Sequence, residues 1–355
     1  MTCGEITDNL NDLKKFQYDL DRAIEKFSAS EAIGIKDQIV LETRRIMSDY
    51  WQEYWSSWHE SRVLSVGDLR VENLLLLGDQ VVFSDNHNKL NFFDKNYTQT
   101  DYYLMGSRFK GEVMASSEWV FTIDFRSGYV NKYQNGFPHL VNGVGGMGIV
   151  DSPTCATKGE GDYLFVGGYG FVQKVNFDGS QEVFLEPELK YSQEIFTALA
   201  VRDGKLYVGT NLGNIYVYNI ETQELLRNIN VSDNGKNSPD PTRSIHEISV
   251  FEDTIAVEID GGLRVIRGDN RPLLLPYSLN PDIKPVFTDR GQVCIAWLNE
   301  LKVYDPMQDK YIFSHMIDSK KGNEIIIITS LLVDGDRILI GTSDGAIREI
   351  KKDKF

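Results

Sequence analysis

ITSLLVDGDRILIGTSDGAIREI, running from Ile328 to Ile350, decides the fold. An apolar run, Ser330-Leu331-Leu332-Val333, stops at Asp334-Gly335-Asp336. Arg337-Ile338-Leu339-Ile340-Gly341-Thr342 follows, then a second turn, Ser343-Asp344-Gly345, then Ala346-Ile347-Arg348-Glu349-Ile350. Asp-Gly pairs set tight turns because glycine enters positive φ freely and Asp bonds its own backbone. Strands rich in Ile, Leu and Val between such turns form a small antiparallel sheet.

The same pattern recurs upstream. Thr197-Ala198-Leu199-Ala200-Val201, Asp203-Gly204, Lys205-Leu206-Tyr207-Val208-Gly209-Thr210, Asn211-Leu212-Gly213 and Ile215-Tyr216-Val217-Tyr218-Asn219 form a close copy. Weaker copies set their second strands at Val81, Val120, Leu164, Ile255 and Val293. With Leu206 and Ile338 these make seven units spaced by 38 to 49 residues, against the ~40–45 expected of four-stranded blades. One such sheet leaves its faces uncovered, and stacking sheets around an axis buries them and leaves only short edges.

Across residues 62–355 the chain resembles the WD40 β-propeller superfamily. Gly341-Thr342-Ser343-Asp344-Gly345-Ala346-Ile347 and Leu301-Lys302-Val303-Tyr304-Asp305 carry the likeness. Tyr304-Asp305, Phe93-Asp94 and Tyr218-Asn219 stand where that family has Trp-Asp. No blade keeps Trp-Asp itself, and other seven-bladed propellers, quinoprotein-like ones included, fit the same pattern. The resemblance implies a rigid ring that displays loops to a protein or peptide. It also brings a ubiquitin-ligase substrate receptor into view, because many WD40-like receptors carry a helical segment before the propeller.

Residues 1–60 follow another period. Ile6, Leu10, Leu13, Phe16, Leu20, Ile24 and Phe27 recur every three or four residues, on one helical face. Ser28 and Glu31 fit a capping box that opens a second helix, which is expected to run to about Trp58. The expected fold class is mainly β: a seven-bladed propeller over 61–355 preceded by an α-helical hairpin over 1–60. Trp51, Trp55 and Trp58, with Tyr54 beside them, share one face of the second helix. That face either packs the appendage in place or meets a partner.

Arg62-Val63-Leu64-Ser65-Val66 is a short strand standing alone before the first blade, and the last unit has only three strands. Residues 62–66 are therefore expected to close the seventh blade. The blades are expected at 71–104, 111–141, 155–185, 196–230, 245–275, 284–316 and 327–351.

Composition narrows the function classes. The formal charge of −15 argues against general nucleic-acid binding, which needs clustered Lys and Arg, and favours basic partners. Three cysteines, Cys3, Cys155 and Cys294, have neither disulfide-framework nor metal-ligand spacing. The start MTCGEITDNL is not a secretory signal, and no apolar run reaches bilayer-spanning length. A cytoplasmic or nuclear setting, with no membrane and no cofactor, is the expectation.

In a WD40-like path the inter-blade connections and the turns between second and third strands share one rim, where loops on a rigid scaffold bind. Acids stand at five of those turns: Asp85, Asp124, Asp260, Glu300 and Asp344. Turn chemistry accounts for acids beside glycine. An acidic recognition rim and a carboxylate pair for glycoside hydrolysis or lysis are the alternatives. Arg126, Tyr169, Phe171, Asn211, Arg243 and Trp297 fall on or near the same rim and include the residue types that anchor interfaces. Gly143-Val144-Gly145-Gly146-Met147-Gly148 has dinucleotide-loop spacing without the strand–helix context that such a loop needs. His246-Glu247 is placed to face the channel, without a third metal ligand. The leading expectation is a non-catalytic interaction scaffold or adaptor.

Overall fold

A computed structural model describes residues 50–52, 54–66, 70–105, 111–116, 118–126, 128–134, 153–186, 194–231, 244–259, 262–268, 272–275, 283–317, 320–321 and 324–352. The expected helical hairpin falls almost wholly outside these residues. So do Arg243, Asp260, the glycine motif at 143–148 and the end of the expected second blade.

The chain divides into two compact units, Met1–Ser56 and Ser57–Phe355. In the first, the described helical turns cover 50–56. Trp51, Tyr54 and Trp55 are buried there. Their rings meet edge to face, Trp51 with Tyr54 at 5.5 Å and Tyr54 with Trp55 at 5.4 Å.

Trp58 is not part of that helix, contrary to the expected Trp51–Trp55–Trp58 face. It opens a strand, Trp58–Ser65, that pairs antiparallel with Ala346–Lys352, with Trp58 opposite Lys352 and Ser65 opposite Ala346. Backbone pairing with the last strand of the chain overrides the helical spacing of the tryptophans. The strand starts four residues before the expected Arg62.

The second unit is a seven-bladed β-propeller. Its innermost strands are Val71–Leu77, Gly111–Ala115, Cys155–Lys158, Phe196–Arg202, Ile245–Phe251, Val286–Phe287 and Ile328–Asp334. Each neighbours the next, and the last returns to the first. From them five sheets run outward through four strands in chain order, and blade 2 shows three described strands. Blade 7 draws its outermost strand from Trp58–Ser65, so its order interleaves the two ends of the unit.

The core lies between blades. Each second strand is buried on both faces, which is why it reads as an unbroken apolar run. In Gln80–Asp85, Val81 and Phe83 pack toward blade 7 while Val82 packs toward blade 2. Equivalent clusters fill the seams between blades 2 and 3, 3 and 4, 4 and 5, and 5 and 6. Asp203 and Gly204 take φ of 50° and 68° in a two-residue hairpin, the twist that a tight antiparallel turn requires.

Candidate functional sites: the rim and the bore

Turns between second and third strands lie against the connections that enter each blade. Asn86 and Arg70 exchange two hydrogen bonds: Asn86 N to Arg70 O at 3.3 Å, and Arg70 N to Asn86 Oδ1 at 3.2 Å. Asn211 and Ile195 repeat this at 3.0 and 2.8 Å, and Ser343 and Ile327 at 2.9 and 3.0 Å. These turns and connections therefore share a rim, and Asn211 acts there as a staple that fixes the entry to blade 4.

The rim acids differ in what they hold. Asp85 is buried; its Oδ1 accepts the His87 and Lys89 amides at 2.9 and 3.1 Å, and its Oδ2 accepts Asn91 Nδ2 at 3.0 Å. Asp344 accepts the Thr342 hydroxyl. Asp124 accepts the Arg126 amide at 3.0 Å. Glu300 accepts the Ser314 hydroxyl and pairs with Lys302 at 3.1 Å. Each acid has a local partner, as turn chemistry selects.

Arg126 and Tyr169 differ from these acids in exposure. Both are exposed, and they occupy the corresponding turns of adjoining blades 2 and 3. Phe125 and Phe171, partly buried beside them, pack against one shared cluster beneath. Trp297 is half-buried on blade 6, with the Lys302 ammonium 5.6 Å from its ring centre. The structure thus brings Asp124, Arg126 and Tyr169 to adjoining turns. Asp85, Asn211, Trp297 and Glu300 are placed on blades 1, 4 and 6.

Inside the ring, a cavity of about 410 Å³ opens near the rim, lined from blades 1 to 5 and 7. A second, of about 330 Å³, shares Asn73, Glu112, Glu247 and Thr329 with it and adds Lys284. Lys284 also lines a third, of about 570 Å³, with Arg202, Phe251 and Phe287. Together they trace the bore of the propeller.

The bore holds ionisable groups that the pattern of strands and turns did not single out. Glu112 is the second residue of its inner strand, and Glu247 the third of its own. Glu247 Oε2 pairs with Lys284 Nζ at 3.4 Å, and Glu112 Oε1 accepts the Ala156 amide at 3.2 Å. Burial, with the Glu247 charge nearby, pushes the Glu112 carboxyl up to about 8, while Lys284 and the Ala156 amide pull the other way. Burial disfavours the Lys284 ammonium, but Glu247 and Glu112 outweigh it and hold its pKa above the usual range. Glu247 and Lys284 keep side-chain exposures of 27% and 43%, so they sit deep in the ring yet within reach of solvent along the bore. His246 lines the same upper cavity, next to Glu247 as their order in sequence suggested. The signal for Glu112 was a charged residue, within Gly111-Glu112-Val113-Met114-Ala115, in a strand otherwise small or apolar.

Among the described residues, no group of three or more His, Cys, Asp or Glu is arranged to hold a metal ion. Also among them, no helix is long and apolar enough to cross a membrane.

No family model matches the chain, and no curated protein matches it. Solved structures do: 1594 chains match, so the architecture is widespread. One is the crystal structure of the computationally designed Ika8 protein. It is 14% identical, with a TM-score of 0.56 over 83% of this chain and 99% of that one. At that identity the likeness concerns the fold alone, and the chain is, by its own strand order, a seven-bladed β-propeller compatible with an interaction scaffold.

Proposed function

We propose that this propeller is a non-catalytic interaction scaffold that captures a protein or peptide partner on its rim, over blades 2 and 3. The observation that carries the reading is the pair Arg126 and Tyr169, exposed on adjoining turns whose backbones are held. The Arg126 amide is bonded to Asp124, and the Gly168 amide to Phe171 O at 3.1 Å. Arginine and tyrosine on a pre-organised support are the residue types that dominate binding energy. The expected setting is the cytoplasm or the nucleus. The burial of Trp51, Tyr54 and Trp55 favours their packing role over partner contact, so the second place of contact that an adaptor or a ligase substrate receptor needs is not assigned to these rings.

The test is affinity capture with mass spectrometry, comparing wild type with Arg126→Ala/Tyr169→Ala. A stoichiometric partner lost by the double variant, at unchanged thermal stability, supports the assignment. Equal capture by both proteins removes it.

One observation favours a second reading, a carboxylate-based propeller hydrolase or lyase. Glu112 and Glu247 lie in one deep cavity, and the raised Glu112 carboxyl has the character of a general acid. Here the pair sits in the bore, not at the rim turns. Turnover of a glycoside panel that Glu112→Gln abolishes would establish it, and no turnover at any pH from 5 to 8 would end it.

A further inference from the structure

Four neutral residues in the wall of the upper bore have a side-chain donor engaged. The Thr154 hydroxyl donates to Phe196 O at 2.5 Å, the Thr197 hydroxyl to Gly209 O at 3.5 Å, and the Thr329 hydroxyl to Val71 O. Asn73 Nδ2 donates to Ser84 Oγ at 2.9 Å. All four residues line the cavity. A hydroxyl that gives its one proton to a backbone carbonyl keeps only acceptor lone pairs, and an amide that has turned its nitrogen inward keeps its oxygen. The wall is therefore rich in acceptors before any charge is considered.

The charges point the same way. Glu72 is matched by Arg70 at 3.5 Å, and Lys284 is taken up by Glu247. Glu112 has one oxygen on the Ala156 amide, and the nearby Lys284 charge that acts on it is ion-paired to Glu247. A carboxyl set this way remains protonated, or admits a cation.

We propose that the upper bore is a binding site for one alkylammonium or guanidinium group, seated against Glu112 and the acceptor oxygens of Thr154, Thr197 and Thr329. The ligand is either a free amine or guanidine, or a Lys or Arg side chain reaching in from the rim. The inference does not depend on the rim patch of blades 2 and 3. An ammonium brings three donors and a guanidinium five, and neither needs an acceptor. An anion would meet carboxylates and oxygen lone pairs, with Lys284 already paired. Binding should pull the Glu112 proton off, because an adjacent cation favours the ionised carboxylate against burial and the nearby Glu247. The other ionisable groups lining this space, His246, Glu72, Arg70, Asp85, Glu247, Lys158 and Lys284, with buried Cys155 behind them, stay in place across the variants below, except where Lys284 is itself changed.

The test is titration calorimetry on the full chain at low salt, with butylammonium, butylguanidinium, and a capped Gly-Lys-Gly peptide beside its acetyl-lysine form. Saturable binding is expected, with proton release near pH 7 seen as a heat that varies with buffer. Glu112→Gln should raise Kd about tenfold, the loss of one charge-assisted contact. Lys284→Met, which frees Glu247, should lower it. Misfolding cannot produce opposite signs from two neighbouring substitutions. Binding of the small cations assigns the site to a free amine or guanidine. Binding of the lysine peptide alone, lost on acetylation, assigns it to a side chain. No saturable binding of any probe, or the same direction of change in both variants, overturns the proposal.

Discussion

The Tyr97 hydroxyl donates to Glu349 Oε2 at 2.6 Å, joining blade 1 to blade 7 across 252 residues of sequence. The other oxygen, Glu349 Oε1, accepts the Ser61 hydroxyl at 2.9 Å from the closing strand. One carboxylate thus ties three pieces of the ring where its two ends meet. Burial opposes its charge, yet the Tyr97 and Ser61 hydroxyls, with the Lys351 ammonium, outweigh that and hold it below the usual carboxylate range. On the other flank, Arg348 of blade 7 reaches Glu60 of the closing strand at 3.1 Å.

Tyr97→Phe should cost about 1–2 kcal/mol, a hydrogen bond to a charged group, and lower the urea midpoint. Tyr97 also carries a pH signature. Burial and the Glu349 hydrogen bond push its hydroxyl up to about 12. Its contribution is complete below pH 10, the unfolded value, and is lost as pH rises through about 12. Phenolate absorbance should show one fewer late-titrating tyrosine in the variant.

Glu194→Ala should be more damaging. This buried carboxylate accepts the Thr210 hydroxyl at 2.9 Å, the Asn214 amide at 2.8 Å and the Tyr216 hydroxyl at 3.1 Å. Removing it takes this acceptor away from three buried donors, at roughly 1–3 kcal/mol for each one left unsatisfied. Thermal unfolding should show a drop several times that of Tyr97→Phe.

Gly341→Ala tests the seam by overfilling it. A Cβ there would lie 2.2 Å from Ser330 Oγ and 2.6 Å from Val71 Cγ1. The expected loss is about 1–3 kcal/mol, read as a lower denaturation midpoint. Gly204→Ala makes a useful contrast, because nothing crowds its Cβ and its cost should come from its positive φ alone.

Glu112 sets a pH dependence of opposite origin to that of an ion-paired acid. Its folded value of about 8 lies above the ordinary 4.5, so folding favours the protonated form. The stability it contributes is present below pH 4.5 and lost as pH rises through about 8. The difference in melting temperature between wild type and Glu112→Gln should therefore grow from pH 5 to pH 8.5, with the variant gaining. A constant difference would mean that Glu112 titrates normally.

The rim residues should separate by role. Asp85→Ala removes the acceptor of two turn amides and the Asn91 side chain, and should cost about 2 kcal/mol or more. Arg126→Ala and Tyr169→Ala, both exposed, should stay within about 0.5 kcal/mol of wild type. Chemical denaturation of the three variants decides this. Comparable losses in all three would make the blade 2 and 3 patch part of the scaffold's own packing.

The sequence by itself determined the repeat. Asp-Gly and Gly-rich turns at near-constant spacing force the chain to reverse, and apolar runs between them need cover on both faces. Both are local requirements that seven copies repeat, and they led to a propeller. The spacing of three tryptophans failed at Trp58, because a helical period carries no information about a strand partner nearly three hundred residues away. The roles of Asp85 and Asn211 were also hidden: an acid or amide in a turn reads alike whether it faces a ligand or caps its own backbone. Only the closed ring decided that Glu112, Glu247 and Lys284, from blades 2, 5 and 6, meet in one bore. Their burial and shared field exist only once all seven inner strands stand around a common axis, which local spacing does not encode.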